Sequence, residues 1–353
     1  MIGFMANSNS IVDRSELLWR LFDFRRVTSF HDLFDGSHRL VALSVILLFG
    51  ASLEMSYADG HSCDVTSSVE EIADGVFVRA GTHHAPFEGE NVANIGFIIG
   101  QSCVAVIDSG GSLSEGHALK CAAKAATELP VCYLILTHHH FDHVMGSKAF
   151  VESEAPVDIV AHENFKPALQ QSAQYYRTEL AENPDQPLPE DHIVFPNTVV
   201  ATGEAVMLDL GGRTLEVRAL PVAHTNNDLS ILDTATDTLW SSDLLFVEHV
   251  PALDNGLGSI NGWLAEIEKL QAQSAKLAVP GHGPVSVKWP AGADPMHRYL
   301  STVRDEVRAV LAENGTLQRA QDEVGLTESD QWQMFDYHHK RTVIRSFTEL
   351  EWE

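Results

Sequence analysis

The segment Thr137-His138-His139-His140-Phe141-Asp142-His143 constrains this chain more than any other. It follows the apolar run Val131-Cys132-Tyr133-Leu134-Ile135-Leu136, which reads as a buried strand. Residues two apart on an extended strand end point the same way, so His138 and His140 are expected to face one point. Asp142 and His143 then fall where the chain turns, into a short helix running through Gly146 to Phe150. The segment thus offers two imidazoles to one point, and a carboxylate with an imidazole to a point beside it. Such nitrogen and oxygen donors suit zinc, and imidazole also suits iron. The alternative is a surface histidine cluster, but histidine-rich tracts rarely sit behind a buried strand.

A pair of metal ions needs more donors than this segment holds. Three later apolar stretches end in them. Leu220-Pro221-Val222-Ala223-His224-Thr225 brings a histidine to a strand end. Thr238-Leu239-Trp240-Ser241-Ser242-Asp243 brings an aspartate to another. Leu277-Ala278-Val279-Pro280-Gly281-His282-Gly283-Pro284 sets a histidine in a glycine-flanked loop. Taken singly, His224 reads equally well as a hydrogen-bonded histidine, Asp243 as a helix N-cap and His282 as a turn residue. Their order behind the first cluster favours the metal reading.

These motifs, with the strand-end Val106-Ile107-Asp108-Ser109-Gly110, resemble the metallo-β-lactamase superfamily over residues from about 76 to 285. The resemblance implies an α/β fold: an αββα sandwich of two mixed sheets with outer helices and metals at one edge. It assigns one metal to His138, His140 and His224. It assigns a second to Asp142, His143 and His282, with Asp243 bridging and Asp108 bracing the metal loop. The implied chemistry is hydrolysis by a hydroxide shared between two divalent ions, zinc or alternatively iron, with Asp142 orienting it and passing its proton on. Substrate is not implied, because the superfamily hosts many chemistries.

A closer resemblance rests on Asn94-Ile95-Gly96-Phe97-Ile98-Ile99-Gly100, Ala223-His224-Thr225-Asn226-Asn227-Asp228-Leu229, Asp243-Leu244-Leu245-Phe246-Val247 and Glu349-Leu350-Glu351-Trp352-Glu353. These are similar to the quinoprotein relay system zinc metallohydrolase family, type 2, related to sulfur-oxidation accessory hydrolases. That likeness names no substrate and implies a periplasmic quinoprotein dehydrogenase or cytochrome c partner. The hydroxide chemistry itself leads to the expectation of a small ester-, lactone- or thioester-like substrate. Two other readings stay open: an iron-dependent sulfur or oxygen redox enzyme, and a non-catalytic carrier of metal or a quinone-related molecule. Asn226 and Asn227 depart from the Gly-Ser-type sequence common after that histidine in the superfamily, so no substrate preference carries over.

Charge narrows the partners. The chain holds 23 Lys+Arg against 49 Asp+Glu, a net −26, which repels phosphate backbones and argues against nucleic-acid binding. Residues 1–58 read as a targeting segment. The apolar run Leu40–Gly50 follows His38-Arg39, and Ser56-Tyr57-Ala58 supplies small residues for cleavage, so a periplasmic location is expected. An uncleaved anchor is the alternative. Residues 59–290 are expected to form the catalytic domain and 291–353 a C-terminal helical extension packed on it. Cys63, Cys103, Cys121 and Cys132 permit two disulfides with three connectivities, or buried thiols; Cys103 and Cys132 each open a strand and could be neighbours.

The remaining pattern is coarse. Gly75–Gly81 reads as the first strand, followed by a loop through His83, His84 and Asn91. Asn94–Gly100 with Cys103–Asp108 reads as a hairpin, and Ser114–Glu128 as a crossover helix. His162–Ala181 is expected to be helical, and Glu182–Asp191 a proline-rich loop. Leu208–Leu215 forms a hairpin with a Gly-Gly turn. Helices are expected over Ile260–Ala272, Met296–Glu313 and twice between Thr316 and Phe347, where His338 and His339 are taken as exposed.

Overall fold

Strands with both faces covered alternate their side chains between two cores, and that alternation builds this molecule. The computed structural model describes residues 63, 68–82, 91–151, 156–181, 188–253 and 256–353. The leader and the loop carrying His83 and His84 lie outside the described residues. Along β3 (Ile95–Ile99) and β4 (Val104–Ile107), Ile95, Phe97, Val104 and Val106 face outward to helices, while Ile98, Ala105 and Ile107 face a second sheet.

The first sheet runs β1 (Glu70–Ala73), β2 (Val76–Arg79), β3, β4, β5 (Val131–Ile135), β6 (Asp158–His162) and β7 (Thr198–Val200). It is antiparallel up to β4 and parallel beyond it. The second runs β13 (Val287–Lys288), β12 (Leu277–His282), β11 (Thr238–Phe246), β10 (Leu229–Asp233), β9 (Thr214–Ala219) and β8 (Ala205–Asp209). Only its β11–β12 pair is parallel. Between the sheets, Val78, Ile98, Ile107, Ile135 and Val160 meet Leu215, Val217, Ile231, Trp240 and Val279.

Helices cover the outer faces. On the first sheet lie α1 (Leu113–Ala126), the short turns α2 (Phe141–Val144) and α3 (Lys148–Val151), and α4 (Phe165–Glu179). Ser112 caps α1 by accepting from the Glu115 N–H at 3.2 Å. On the second sheet lie α5 (Ile260–Gln271), α6 (Asp294–Ala312), α7 (Leu317–Glu323) and α8 (Phe335–Leu350). Trp263, Tyr299, Leu300, Val303, Val343 and Phe347 share one core there with Leu239 and Ala278. The C-terminal helices therefore complete this layer of the sandwich.

The αββα architecture agrees with the expectation, with three corrections. A strand, Glu70–Ala73, precedes Val76–Arg79; its charged, exposed residues sit at a sheet edge. His162 ends β6 and does not begin a helix, because its Nε2 pairs with the Leu220 carbonyl at 3.1 Å. His338 and His339 are not exposed: His339 is buried between Tyr299 and the Val324 carbonyl, and His338 lines a cavity. The cysteines pair as Cys63–Cys121 and Cys103–Cys132, with Cα atoms 5.5 and 5.8 Å apart.

Candidate metal centre

The donors assemble where strands of both sheets end on one side. His138 and His140 follow β5; Asp142 and His143 lie in α2, one turn on. His224 sits in the β9–β10 loop, Asp243 within β11 and His282 at the end of β12. The structure brings together two groups: His138, His140, His224 and Asp243, and beside them Asp142, His143 and His282. Within each group the facing ligand atoms lie within 4.8 Å of one another. His140 Nδ1 lies 3.1 Å from both His138 Nε2 and His224 Nε2. Asp243 stands between the groups. Its Oδ2 is 3.3 Å from His224 Nε2 and 3.3 Å from His282 Nε2, and its Oδ1 is 3.1 Å from His143 Nε2.

Asp108 organises this arrangement from behind. It is fully buried at the end of β4, with left-handed backbone (φ 56°). It accepts hydrogen bonds from the Thr137 N–H and hydroxyl and from His143 Nδ1, each at 2.8 Å, and from the Ser242 hydroxyl at 3.3 Å. One carboxylate thus ties β4, the His138 segment and β11 together across both sheets. Ser242, also left-handed (φ 47°), precedes Asp243 and turns it into the site. Gly281 leaves room for that carboxylate, since a Cβ there would overlap Asp243 Oδ1.

The hydrogen bonds also set the tautomers. His143 Nδ1 donates to Asp108, and His282 Nδ1 donates to the Val92 carbonyl at 3.1 Å. The Thr137 hydroxyl donates to Asp108, which leaves its oxygen to accept from His138 Nδ1 at 3.1 Å. When neutral, each of these three rings therefore turns an Nε2 lone pair toward the same buried space. His143 Nε2 and Asp243 Oδ1, though close, make no hydrogen bond. Converging lone pairs and carboxylate oxygens in a buried space fit divalent cations, and these residues suit a two-ion site.

Titration without metal follows the same geometry. Burial pushes His138 well below the usual histidine range, helped by the neighbouring His143. Burial also opposes charge on His143 and His282, yet Asp243 and Asp142 outweigh it and hold both above that range. Burial works against ionised Asp243 too, but His282, His143 and His138 keep it well below the carboxylate range. Metal binding here must displace protons from His143 and His282.

Residues 89–282 match the sequence model of the Metallo-beta-lactamase superfamily. The chain belongs to the metallo-β-lactamase superfamily. It is accordingly a metal-dependent hydrolase by family. Solved structures agree in fold. A metallo-β-lactamase from Pontibacter korlensis, 19% identical, superposes with a TM-score of 0.53 over 66% of this chain and 98% of its own. One from Hirschia baltica, 14% identical, gives 0.52 over 67% and 98%. The stereoselective inverting sec-alkylsulfatase Pisa1 from Pseudomonas sp., 14% identical, gives 0.63 over 80% of this chain and 50% of its own. Among curated proteins no relative matches the sequence.

The donors open into a cavity of about 190 Å³. Val92, Phe141, Phe246 and Ala252 supply apolar wall, and His249, His338 and Arg341 supply polar wall. Phe246 and His249 both stack on the His282 ring, with centroids 4.8 and 5.4 Å away. Sequence reasoning missed His249, His338 and Arg341 as cavity residues. His139, the remaining histidine of the opening motif, is buried with its Nδ1 3.1 Å from Asn227 Nδ2.

Glu349, near the end of α8, and Glu353, beyond it, hold the start of α5, which in turn touches the loop that carries His224. Glu349 accepts from the Ser259 hydroxyl and the Ile260 N–H, both at 2.7 Å, capping α5. The Ser259 N–H in turn donates to the Ala223 carbonyl at 2.9 Å. Asn261 Nδ2 donates to Glu353 at 2.7 Å.

Proposed function

We propose that this protein is a binuclear zinc hydrolase acting on a small ester-, lactone- or thioester-like substrate. The observation that carries the reading is the pair of donor groups meeting at Asp243 in one cavity. His138, His140 and His224 would hold one ion and Asp142, His143 and His282 the other, with Asp243 between. When bound, such a pair supplies Lewis-acid polarisation of an electrophilic oxygen and a water ionised near neutral pH. The chain's own residues do the rest. Asp142 lines the cavity with Oδ2 3.5 Å from His282 Nε2, placed to take a proton from the attacking water and hand it to the leaving group. Val92, Phe141, Phe246 and Ala252 put apolar wall beside the donors, and low-dielectric surroundings strengthen charge interactions.

The protein works in the periplasm, alongside a quinoprotein dehydrogenase or cytochrome c. The leader-like residues 1–58 and two disulfides, which persist in oxidising compartments, support that placement. The closer family resemblance supports the partner.

The test is metal analysis of the exported protein beside a hydrolysis panel of a lactone, a thioester, a β-lactam and an alkyl sulfate. Two zinc equivalents and turnover of the lactone or thioester are expected, with the β-lactam poor. Iron with oxygen- or persulfide-dependent turnover would establish the redox alternative. Efficient turnover of the alkyl sulfate alone would move the substrate to sulfate esters.

A further inference from the structure

The geometry points to Arg341, which lines the cavity that holds the metal donors, as the receptor for an anionic group on the substrate. The inference deepens the hydrolase reading proposed above and rests on it. Arg341 and His338 lie three positions apart on α8, on one helix face, and both line the metal cavity. Ring contacts connect this wall to the centre. His338 lies 5.4 Å from His249, and His249 lies 5.4 Å from the metal-donor ring His282.

Charge singles out Arg341. Arg213 is locked to Asp233, Arg298 to Glu328 and Arg308 to Glu353. Arg341 makes no ion pair or hydrogen bond with any described residue, although the chain is strongly acidic. The carboxylates lining the same cavity, Asp142 and Asp243, are engaged by histidines. His338 is held down to about 4, mainly by burial and then by Arg341, so it is neutral at pH 7. Among the described residues lining the cavity, Arg341 is thus the side chain with permanent positive charge.

Val92, Phe141, Phe246 and Ala252 give the same cavity apolar wall. The cavity therefore combines metal donors, one guanidinium and apolar wall. It suits a short molecule with a hydrolysable group at one end and a carboxylate, or another oxyanion, at the other. A guanidinium recognises such a group through paired N–H donors, and the neutral His338 ring adds one more polar contact.

Binding by the zinc-loaded protein tests this without turnover. The probes are 3-mercaptopropionate and its amide, whose thiol engages the metal end while the far group differs only in charge. Wild type is expected to bind the acid about ten- to a hundredfold more tightly than the amide, as for a hydrogen bond to a charged group. R341Q should abolish that preference, and R341K should keep part of it, retaining the charge but not the fork. Equal affinity for acid and amide in wild type overturns the inference, leaving the hydrolase reading intact. So does a preference that survives in R341Q, which would place the anion on the metal ions. If neither thiol binds wild type, the metal centre itself fails and this inference fails with it.

Discussion

Replacing Asp108 by Asn changes one atom of a residue that touches no substrate, yet it should disable half of the metal centre. Asp108 has no solvent exposure, and its carboxylate only accepts: from the Thr137 N–H and hydroxyl, from His143 Nδ1 and from Ser242. If the Asn carbonyl keeps the Thr137 N–H bond, the amide NH2 takes the position of Oδ2 and faces the His143 Nδ1–H. Thr137 can adapt by rotating its hydroxyl toward Ser242, 2.8 Å away. His143 can adapt only by moving its proton to Nε2, the atom aimed at the metals. A hydrogen bond to a buried charged group contributes roughly 1.5–3 kcal/mol. Leaving a buried partner uncompensated raises the total cost of D108N to about 3–5 kcal/mol of metal-free stability. Loss of such a supporting contact weakens metal affinity by about 10- to 100-fold. The effect should concentrate on the ion held by Asp142, His143 and His282. Urea unfolding of the metal-free protein and a chelator-competition titration measure the two quantities. If D108N kept both zinc affinities within about threefold of wild type, the tautomer argument would be refuted.

The other predictions concern the centre and the leader. Asp243→Asn should lose one metal equivalent and most activity with the fold intact; two retained equivalents and near-normal turnover would make Asp243 merely structural. Gly281→Ala should push the Asp243 carboxylate aside, at a cost of about 1–3 kcal/mol and at least tenfold in turnover, read by unfolding and kinetics. Metal-free protein should lose stability as pH rises above about 6.5, because the folded state holds protons on His143 and His282 that the unfolded chain releases. Zinc-loaded protein should show the opposite trend, as its ligands are already deprotonated; thermal melts across pH 6 to 9 would expose parallel curves if this is wrong. The exported protein should begin near Asp59, which an intact mass would check, and a full-length mass would overturn cleavage.

The donors were legible because alternation behind a buried strand determines which way side chains face. That argument covers His138 and His140 directly; His224, Asp243 and His282 showed as donors ending later apolar stretches, and family likeness supplied their assignment to particular ions. The bracing role of Asp108 came from the family likeness, which places a strand-end aspartate there. Disulfide pairing was legible in part: Cys103 and Cys132 open strands and do pair, whereas four cysteines leave three connectivities and no local pattern sets Cys63 beside Cys121. The edge strand Glu70–Ala73 was missed because two charged residues hide its periodicity. The β6 strand was missed because its apolar core is only Ile159-Val160-Ala161 before His162. The wall formed by His338 and Arg341 was illegible for another reason. No local pattern tells which face of a C-terminal helix meets a cavity built two hundred residues earlier.

That separation has a consequence for how such a protein can change. Coordination comes from residues 138–282, while part of the surface a ligand meets comes from α8. Substitutions on the cavity-facing positions of α8 leave every donor and its hydrogen bonds untouched. Selectivity can therefore drift, or be engineered, while the reactive centre stays constant. A library confined to His338, Arg341 and their neighbours would sample new substrates on an unaltered catalytic core, provided Glu349 and Glu353 keep the far end of the helix in place.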